Sequence, residues 1–422
     1  MIFLFLAVSL RALAGAPVQE TSASLFSRAE ASVFTVEIHT GNAEAKTSLG
    51  SGYVISADGK VVTNYHVVSA YVDDPSQKFI RVRNVSGQRP AMLLAFDVAN
   101  DLALLKISGS TAPPLRVAAE PPPPGTEIVA LGNPHGLRLS IVEGIFNGYA
   151  EKGLVDRMVL SMPLNAGMSG GPILNGHGEV IGTNVAIYRS SNSLSFGVPG
   201  TKLKKLLAAT PVATSADELR RETHRQLVDL ERETSALLHA ELEAGEPGSR
   251  VTVGGVEIPL PRSLFECWET TKKNDDATLN RSRYRCDLQF TPSLDEDEEV
   301  AAVEIEVEHV SSDRNRYGFY GWLSENGGAR VDSGFSGIGT RRTAPECVVE
   351  RVASREVRWK VNTCLRGYLK HEGLYDFSLA ATSLSRAREA VTISLLLKGF
   401  SREAFSFLAR FFLDNVRFTS AP

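Results

Sequence analysis

Short apolar runs, broken at regular intervals by glycine, proline, asparagine and aspartate, fill residues 25–205. Runs of this length between turn formers read as strands rather than as helices that bury a stripe. Strands are expected at Ser51–Ser56, Val61–Thr63, Phe79–Val82, Met92–Phe96, Ala103–Ile107, Glu127–Leu131, Arg157–Ser161, Pro172–Leu174, Val180–Asn184 and Leu194–Gly197. The turn Ala57-Asp58-Gly59-Lys60 makes the first two a hairpin. Many short strands with turn signals between them form an all-β barrel or sandwich. Pro121–Pro124 cannot enter a central strand and reads as an extended connector between two β subdomains.

The pattern changes after residue 200. Thr201–Ala209 reads as a short helix, and Ser215–Glu243 as one long helix with no glycine or proline inside it. Ser215 and Glu218 have capping-box spacing. Leu219, Leu227, Leu230, Leu237, Leu238 and Leu242 make an incomplete apolar stripe, fitting a partly exposed connector or a helix packed on one domain. A coiled-coil dimer is the alternative, and the irregular seam weighs against it. Gly245-Glu-Pro-Gly ends the helix. Residues 250–420 read as a separate α+β domain, with strands at Ala301–Val310 and Val391–Leu397. Its last helix, Ser401–Asn415, carries Phe405, Phe407, Leu408, Phe411 and Phe412 as an apolar face. The acidic run Asp295–Glu299 lacks the ligand spacing of a calcium loop and reads as a solvated turn. The expected units are residues 25–210, a helical connector at 215–244, and residues 250–420.

The 422 residues carry a net charge of -4, which argues against a nucleic-acid binder driven by a basic surface. Ile2–Leu10 is apolar but too short to span a bilayer, and Ala12-Leu13-Ala14 offers a small-x-small cleavage pattern. Residues 1–16 therefore read as an export signal, although no basic residue precedes the apolar run; a disordered or partly buried N-terminus is the alternative. No later segment has the apolar length for stable membrane insertion. Cys267, Cys286, Cys347 and Cys364 include no C-x-x-C, so no metal site is expected. In an exported chain they suggest disulfides. Three pairings are possible; the two local ones are preferred, and four buried thiols are the alternative.

Three segments carry the residue types of acyl transfer by serine: Val61-Val-Thr-Asn-Tyr-His66, Asn100-Asp101-Leu-Ala-Leu-Leu-Lys-Ile107 and Asn165-Ala-Gly-Met-Ser169-Gly-Gly-Pro172. A serine nucleophile needs a base for its proton, a carboxylate to fix the base's tautomer, and N–H groups for the oxyanion. His66 follows an apolar strand, Asp101 opens an apolar run, and Ser169 sits among Gly167, Gly170 and Gly171. The glycines permit a tight backbone that turns the N–H groups of Gly167 and Ser169 to one point. His135 reads as a loop-shaping residue, His177 as an exposed turn residue, and Asn165 and Asn184 as supports for loop backbone.

These segments resemble the HtrA/Deg family of trypsin-like serine proteases from about residue 45 to residue 200. The likeness includes Gly50-Ser-Gly-Tyr-Val-Ile55, Ala130-Leu-Gly-Asn-Pro-His-Gly-Leu137, Gly178-Glu-Val-Ile-Gly-Thr-Asn184 and Phe196-Gly-Val-Pro199. The order His, Asp, Ser and spacings of 35 (101 minus 66) and 68 (169 minus 101) also fit. The resemblance implies two six-stranded antiparallel β-barrels and a serine endopeptidase that needs no cofactor. It implies catalytic residues His66, Asp101 and Ser169, and an oxyanion hole along Gly167, Met168 and Ser169. Leu164, Ala186, Ile187 and Tyr188 would line the S1 pocket; without an acid among them, small or medium apolar P1 residues are expected. The substrates would be polypeptides in the periplasm or outside the cell.

Two departures stand out. Met168 replaces the family's usual asparagine and should change substrate fit rather than abolish activity. No PDZ-like carboxylate loop follows residue 210, so cage assembly does not carry over. A silent protease fold serving as a scaffold, with a partner-binding C-terminal domain, is the competing reading.

Overall fold

The computed structural model describes residues 20–41, 46–109, 112–136, 138–185, 194–209, 211–212, 215–244, 250–260, 263–273, 279–295, 298–313, 315–326, 335, 341–355, 357–384 and 386–419. The expected export signal and the Gly245–Gly248 helix stop lie outside them.

After helix α1 (Ser22–Ala29), strands β1 (Val33–Thr40), β2 (Lys46–Val54), β3 (Lys60–Thr63), β4 (Lys78–Asn84), β5 (Gly87–Asp97) and β6 (Leu102–Ile107) close an antiparallel barrel. Helix α2 (Tyr65–Asp73) interrupts it between β3 and β4. A second closed barrel comprises β7 (Thr126–Gly132), β8 (Ser140–Tyr149), β9 (Met158–Ser161), β10 (Pro172–Leu174), β11 (Val180–Val185) and β12 (Leu194–Pro199). These are the two six-stranded barrels that the resemblance implied, joined through the proline run. Strand β6 explains its own unbroken apolar sequence. Ala103, Leu105 and Ile107 fill the first barrel, while Leu102 and Leu104 pack against Leu131, Leu174 and Val198 of the second. A strand buried on both faces reads as a continuous run rather than as an alternation.

Strands β1 and β8 were not expected from sequence. In β1 the polar positions Thr35, Glu37 and His39 are themselves buried. Glu37 accepts from Lys46 at 2.6 Å and from Arg83 at 3.3 Å and lies 3.1 Å from His39, so its charge is compensated.

Helix α3 (Thr201–Ala208) leads to α4 (Ala216–Ala244), whose first turn is capped by the Ser215 hydroxyl, with Glu218 bonded back to it. Leu219, Leu227 and Leu230 enter the core of the first barrel, whereas Leu238 and Leu242 enter the C-terminal core. The helix therefore packs on two units, not one, and Leu237, 44% exposed, lies off the stripe.

The C-terminal part is β-rich. It contains β13 (Arg250–Val253), β14 (Val256–Pro259), β15 (Phe265–Lys273), β16 (Leu279–Leu288), β17 (Ala302–Ser312), α5 (Arg316–Asn326), β18 (Glu346–Ser354), β19 (Val357–Gly367), β20 (Tyr375–Ser383), β21 (Glu389–Phe400), α6 (Arg402–Asn415) and β22 (Arg417–Phe418). Seven strands form one antiparallel sheet in the order β15-β16-β17-β21-β20-β19-β18, and β13-β14-β22 form a small second sheet. One face of the large sheet packs on α6, α4 and the small sheet through Tyr284, Ile305, Ile393, Leu408 and Phe412. Its other face carries cross-strand pairs such as Arg283–Glu306 and Arg285–Glu304. Disulfides Cys267–Cys286 and Cys347–Cys364 join directly opposed residues and staple both edge strands to their neighbours. The acidic turn is ion-paired rather than merely solvated: Asp295 and Glu298 meet Arg341, and Glu299 meets Lys398.

Candidate active site

Helix α2 begins just after β3, and His66 lies in its first turn, where backbone N–H groups have no partner inside the helix. Asp101 supplies one. Its Oδ1 accepts the His66 N–H at 2.9 Å, while its Oδ2 lies 2.8 Å from His66 Nδ1. The positive end of the helix dipole favours a carboxylate there. A carboxylate oxygen accepts, so the proton of the second bond sits on Nδ1 and Nε2 keeps its lone pair.

Asp101 closes the turn Val98–Asp101 in left-handed backbone, φ 59, a conformation that aspartate tolerates better than most residues. Its carbonyl accepts from Asn64 Nδ2 at 2.7 Å, which ties it to the residue before α2. Asn64 is wholly buried. Arg157, also buried, lies in the field of Asp101; burial lowers its guanidinium pKa against the opposing charges of Asp101, Asp97 and Asp156. Sequence reasoning assigned no role to Asn64 or Arg157. Asn64 stood in a recognised block, but nothing local in the sequence marks Arg157.

The Ser169 loop comes from the second barrel. Gly167 and Gly170 adopt φ 91 and 86, left-handed backbone that glycine takes without strain. The loop is fixed from three sides. Ser51 Oγ donates to Gly167 O at 2.7 Å and accepts the Asn133 N–H at 2.9 Å. The Ser51 N–H reaches Ser169 O at 2.7 Å, and the Gly170 N–H reaches Asn184 O at 3.0 Å. The His135 N–H holds Ala166 O at 3.1 Å. In a trans peptide the carbonyl and the N–H point opposite ways, so the Gly167 N–H faces away from His135. Asn184 Nδ2 bonds Leu131 O at 3.1 Å, the supporting role expected of it, whereas the exposed Asn165 contributes its carbonyl to Met168 N.

The Ser169 loop thereby lies against the segments that flank His66. A Cβ on Gly50 would touch both Val67, next to His66, and Ser169 O; one on Gly170 would strike Thr63 and Asn64. Ser169 is 5% exposed and His66 6%. The Met168 side chain is buried in the second barrel among Ile128, Leu160 and Ile173. Of the S1 candidates, Leu164 is half-buried; its N–H meets Ser195 Oγ at 3.3 Å, and Ser195 Oγ donates to Met162 O at 2.6 Å. Ala186, Ile187 and Tyr188 lie outside the described residues.

Residues 50–182 match the family described as "Trypsin-like peptidase domain". This part of the chain is a trypsin-like peptidase domain. It is similar to a "Probable periplasmic serine endoprotease DegP-like" of Pseudomonas fluorescens, 36% identical over 160 residues, which are 36% of this chain and 33% of that protein. A protein of the same description from Marinomonas sp. is 35% identical over 163 residues, 36% of this chain and 34% of its own length. Among solved structures, the serine endoprotease from Yersinia pestis aligns with TM-score 0.39 and 27% identity, over 45% of this chain and 66% of that chain. The chain thus spans about a third of the length of the curated relatives it matches. Among the described residues no helix is long and apolar enough to cross a membrane.

Proposed function

We propose that the chain is a serine endopeptidase that hydrolyses peptide bonds of exported polypeptides through an acyl-enzyme. Residues 25–210 form its catalytic unit, and residues 250–420 a second unit tied to it by the 215–244 connector. The observation that supports the reading is the pair of hydrogen bonds from His66 to the Asp101 carboxylate, which leaves Nε2 available as the base for Ser169.

Ser169 Oγ attacks the scissile carbonyl as His66 Nε2 takes its proton. The N–H groups of Gly167 and Ser169 meet the oxyanion, and His66 returns the proton to the leaving amine. Water then repeats the sequence on the ester. Asp101 holds the imidazole tautomer and stabilises the imidazolium. The S1 preference we propose is for small or medium apolar side chains, since no acidic residue stands among the pocket candidates Leu164, Ala186, Ile187 and Tyr188. The periplasm, or the space outside the cell, is the proposed setting, in line with the names of the relatives.

The test is reaction with a fluorophosphonate probe. Mature, folded protein should label, and Ser169→Ala should not. Absence of labelling in folded wild-type protein sinks the reading, and clear preference for Arg or Lys at P1 in a peptide library sinks the pocket assignment.

A further inference from the structure

Gln226 belongs to α4, outside both barrels, yet its amide grips the backbone on either side of Asp97. Its Oε1 accepts the Val98 N–H at 2.8 Å, and its Nε2 donates to Phe96 O at 2.9 Å. The other Nε2 hydrogen goes to Glu222 Oε1 at 2.8 Å, one helical turn back. These contacts assign the amide. With oxygen and nitrogen exchanged, the oxygen would face two acceptors and the nitrogen would face an N–H. Glu222 is itself held by Arg225 at 2.9 and 2.6 Å. Burial raises its carboxyl pKa, but the bonds from Arg225 and Gln226 outweigh that and leave it lowered, so it remains an acceptor.

The gripped segment leads directly into Asp101. That turn ends in left-handed backbone at Asp101, a conformation that residues other than glycine adopt less readily, so contacts from outside the turn help to hold it. The same helix also touches the other partner. Leu219 and Leu227 share a core with Tyr65, Val67 and Val68, which flank His66, and Tyr65 stacks on Phe96 at 5.3 Å. Farther along, Leu238 and Leu242 root the helix in the C-terminal core.

We propose that Gln226 is a positioning residue for the His66–Asp101 pair, so that α4 takes part in keeping the site in working geometry. The proposal rests on the peptidase reading above. Gln226→Met keeps the length and helix propensity of the side chain but makes neither bond. With a peptide substrate, kcat should fall by about tenfold, equivalent to 1.36 kcal/mol, while KM changes less than about twofold. The acidic limb of the kcat/KM profile should move to lower pH, because a misplaced carboxylate stabilises the imidazolium less. In an Asp101→Ala background the same change should cost nothing further, since what it positions is gone. Gln226→Leu repeats the test with a different packing demand.

Wild-type kcat and pH profile in both folded variants overturn the proposal. So does an equal loss in the Asp101→Ala background, which would mean general loosening. If folded wild-type protein never labels with the fluorophosphonate, the peptidase reading fails instead. NMR titration of the His66 ring then tests the clamp alone, and an unchanged midpoint in Gln226→Met overturns it.

Discussion

Gly170→Ala tests how the Ser169 loop is seated. Gly170 has φ 86, and an added Cβ would lie 2.5 Å from Thr63 Oγ1 and 2.9 Å from Asn64 N, and closer still to Ser51 O. None of these atoms can easily yield. The Thr63 hydroxyl donates to Ser51 O at 2.7 Å, and Asn64 is pinned through its side chain to Asp101. Real Cβ contacts begin near 3.0 Å, so the loop must retreat by at least 0.5 Å (3.0 minus 2.5), and further where Ser51 O opposes it. A misplacement of about 1 Å costs about 100-fold in rate. The expected loss in kcat therefore lies between about tenfold and 100-fold, with about 1–3 kcal/mol of lost stability from the backbone strain. Single-turnover acylation by a chromogenic ester and thermal unfolding measure the two effects. An alanine variant that acylates within about threefold of wild type, at unchanged Tm, would refute the close seating of Ser169 against the segment before His66.

Asp101→Asn should lower kcat by about 10⁴-fold with little change in KM, because an amide donor at Nδ1 reverses the tautomer; a loss under about tenfold removes Asp101 from its role. The disulfides close separations of 19 and 17 residues, and each should contribute about 3 kcal/mol, so reduction should lower the urea midpoint of the C-terminal part. An unchanged midpoint after complete reduction refutes that contribution. His371, buried against α4, is pushed down to about 4, first by burial and then by the charges of His224 and Arg342. Unfolded histidine binds its proton near 6.5, so the unfolded state gains protons first on acidification. About 3 kcal/mol of stability, fully present above pH 6.5, should be lost as the pH falls towards 4. Denaturant titrations of wild type and His371→Phe at pH 7 and 4.5 check this, and equal slopes in the two proteins refute it.

The candidate site was legible because its chemistry is written in short contiguous blocks. His66, Asp101 and Ser169 each sit in a segment whose turn formers and apolar neighbours fix local backbone, and β6 announces itself by being apolar on both faces. Strand β1 did not, since a charge at Glu37 reads as solvated until Lys46 and Arg83, 9 and 46 residues away, are brought to it. Arg157 and Gln226 were invisible for the same reason. Gln226 meets its backbone partners across separations of 128 and 130 residues, and nothing in its own neighbourhood marks it. The stripe on α4 was visible, but its division between two cores was not, because periodicity gives a face and not what covers it.

That division bears on what the second half does for the first. Helix α2, which carries His66, is held at its N-terminus by Asp101 and at its C-terminus by residues beyond position 340. Asp73 pairs with Lys370 at 2.7 Å and with Arg341 at 3.4 Å, and its backbone carbonyl accepts from Lys370 at 3.1 Å. Burial raises the Asp73 carboxyl pKa, but the Lys370 and Arg341 contacts outweigh it and leave the group lowered. Each such partly exposed pair is worth only about 1 kcal/mol or less, too little to hold two units together by itself. The apolar contacts of α4 with both cores supply the larger share. The ion pairs then serve to fix orientation: a helix gripped by charge at one end and by Asp101 at the other has little freedom to tilt. The C-terminal part thus shares α4 with the first barrel and contacts the far end of the helix that carries His66.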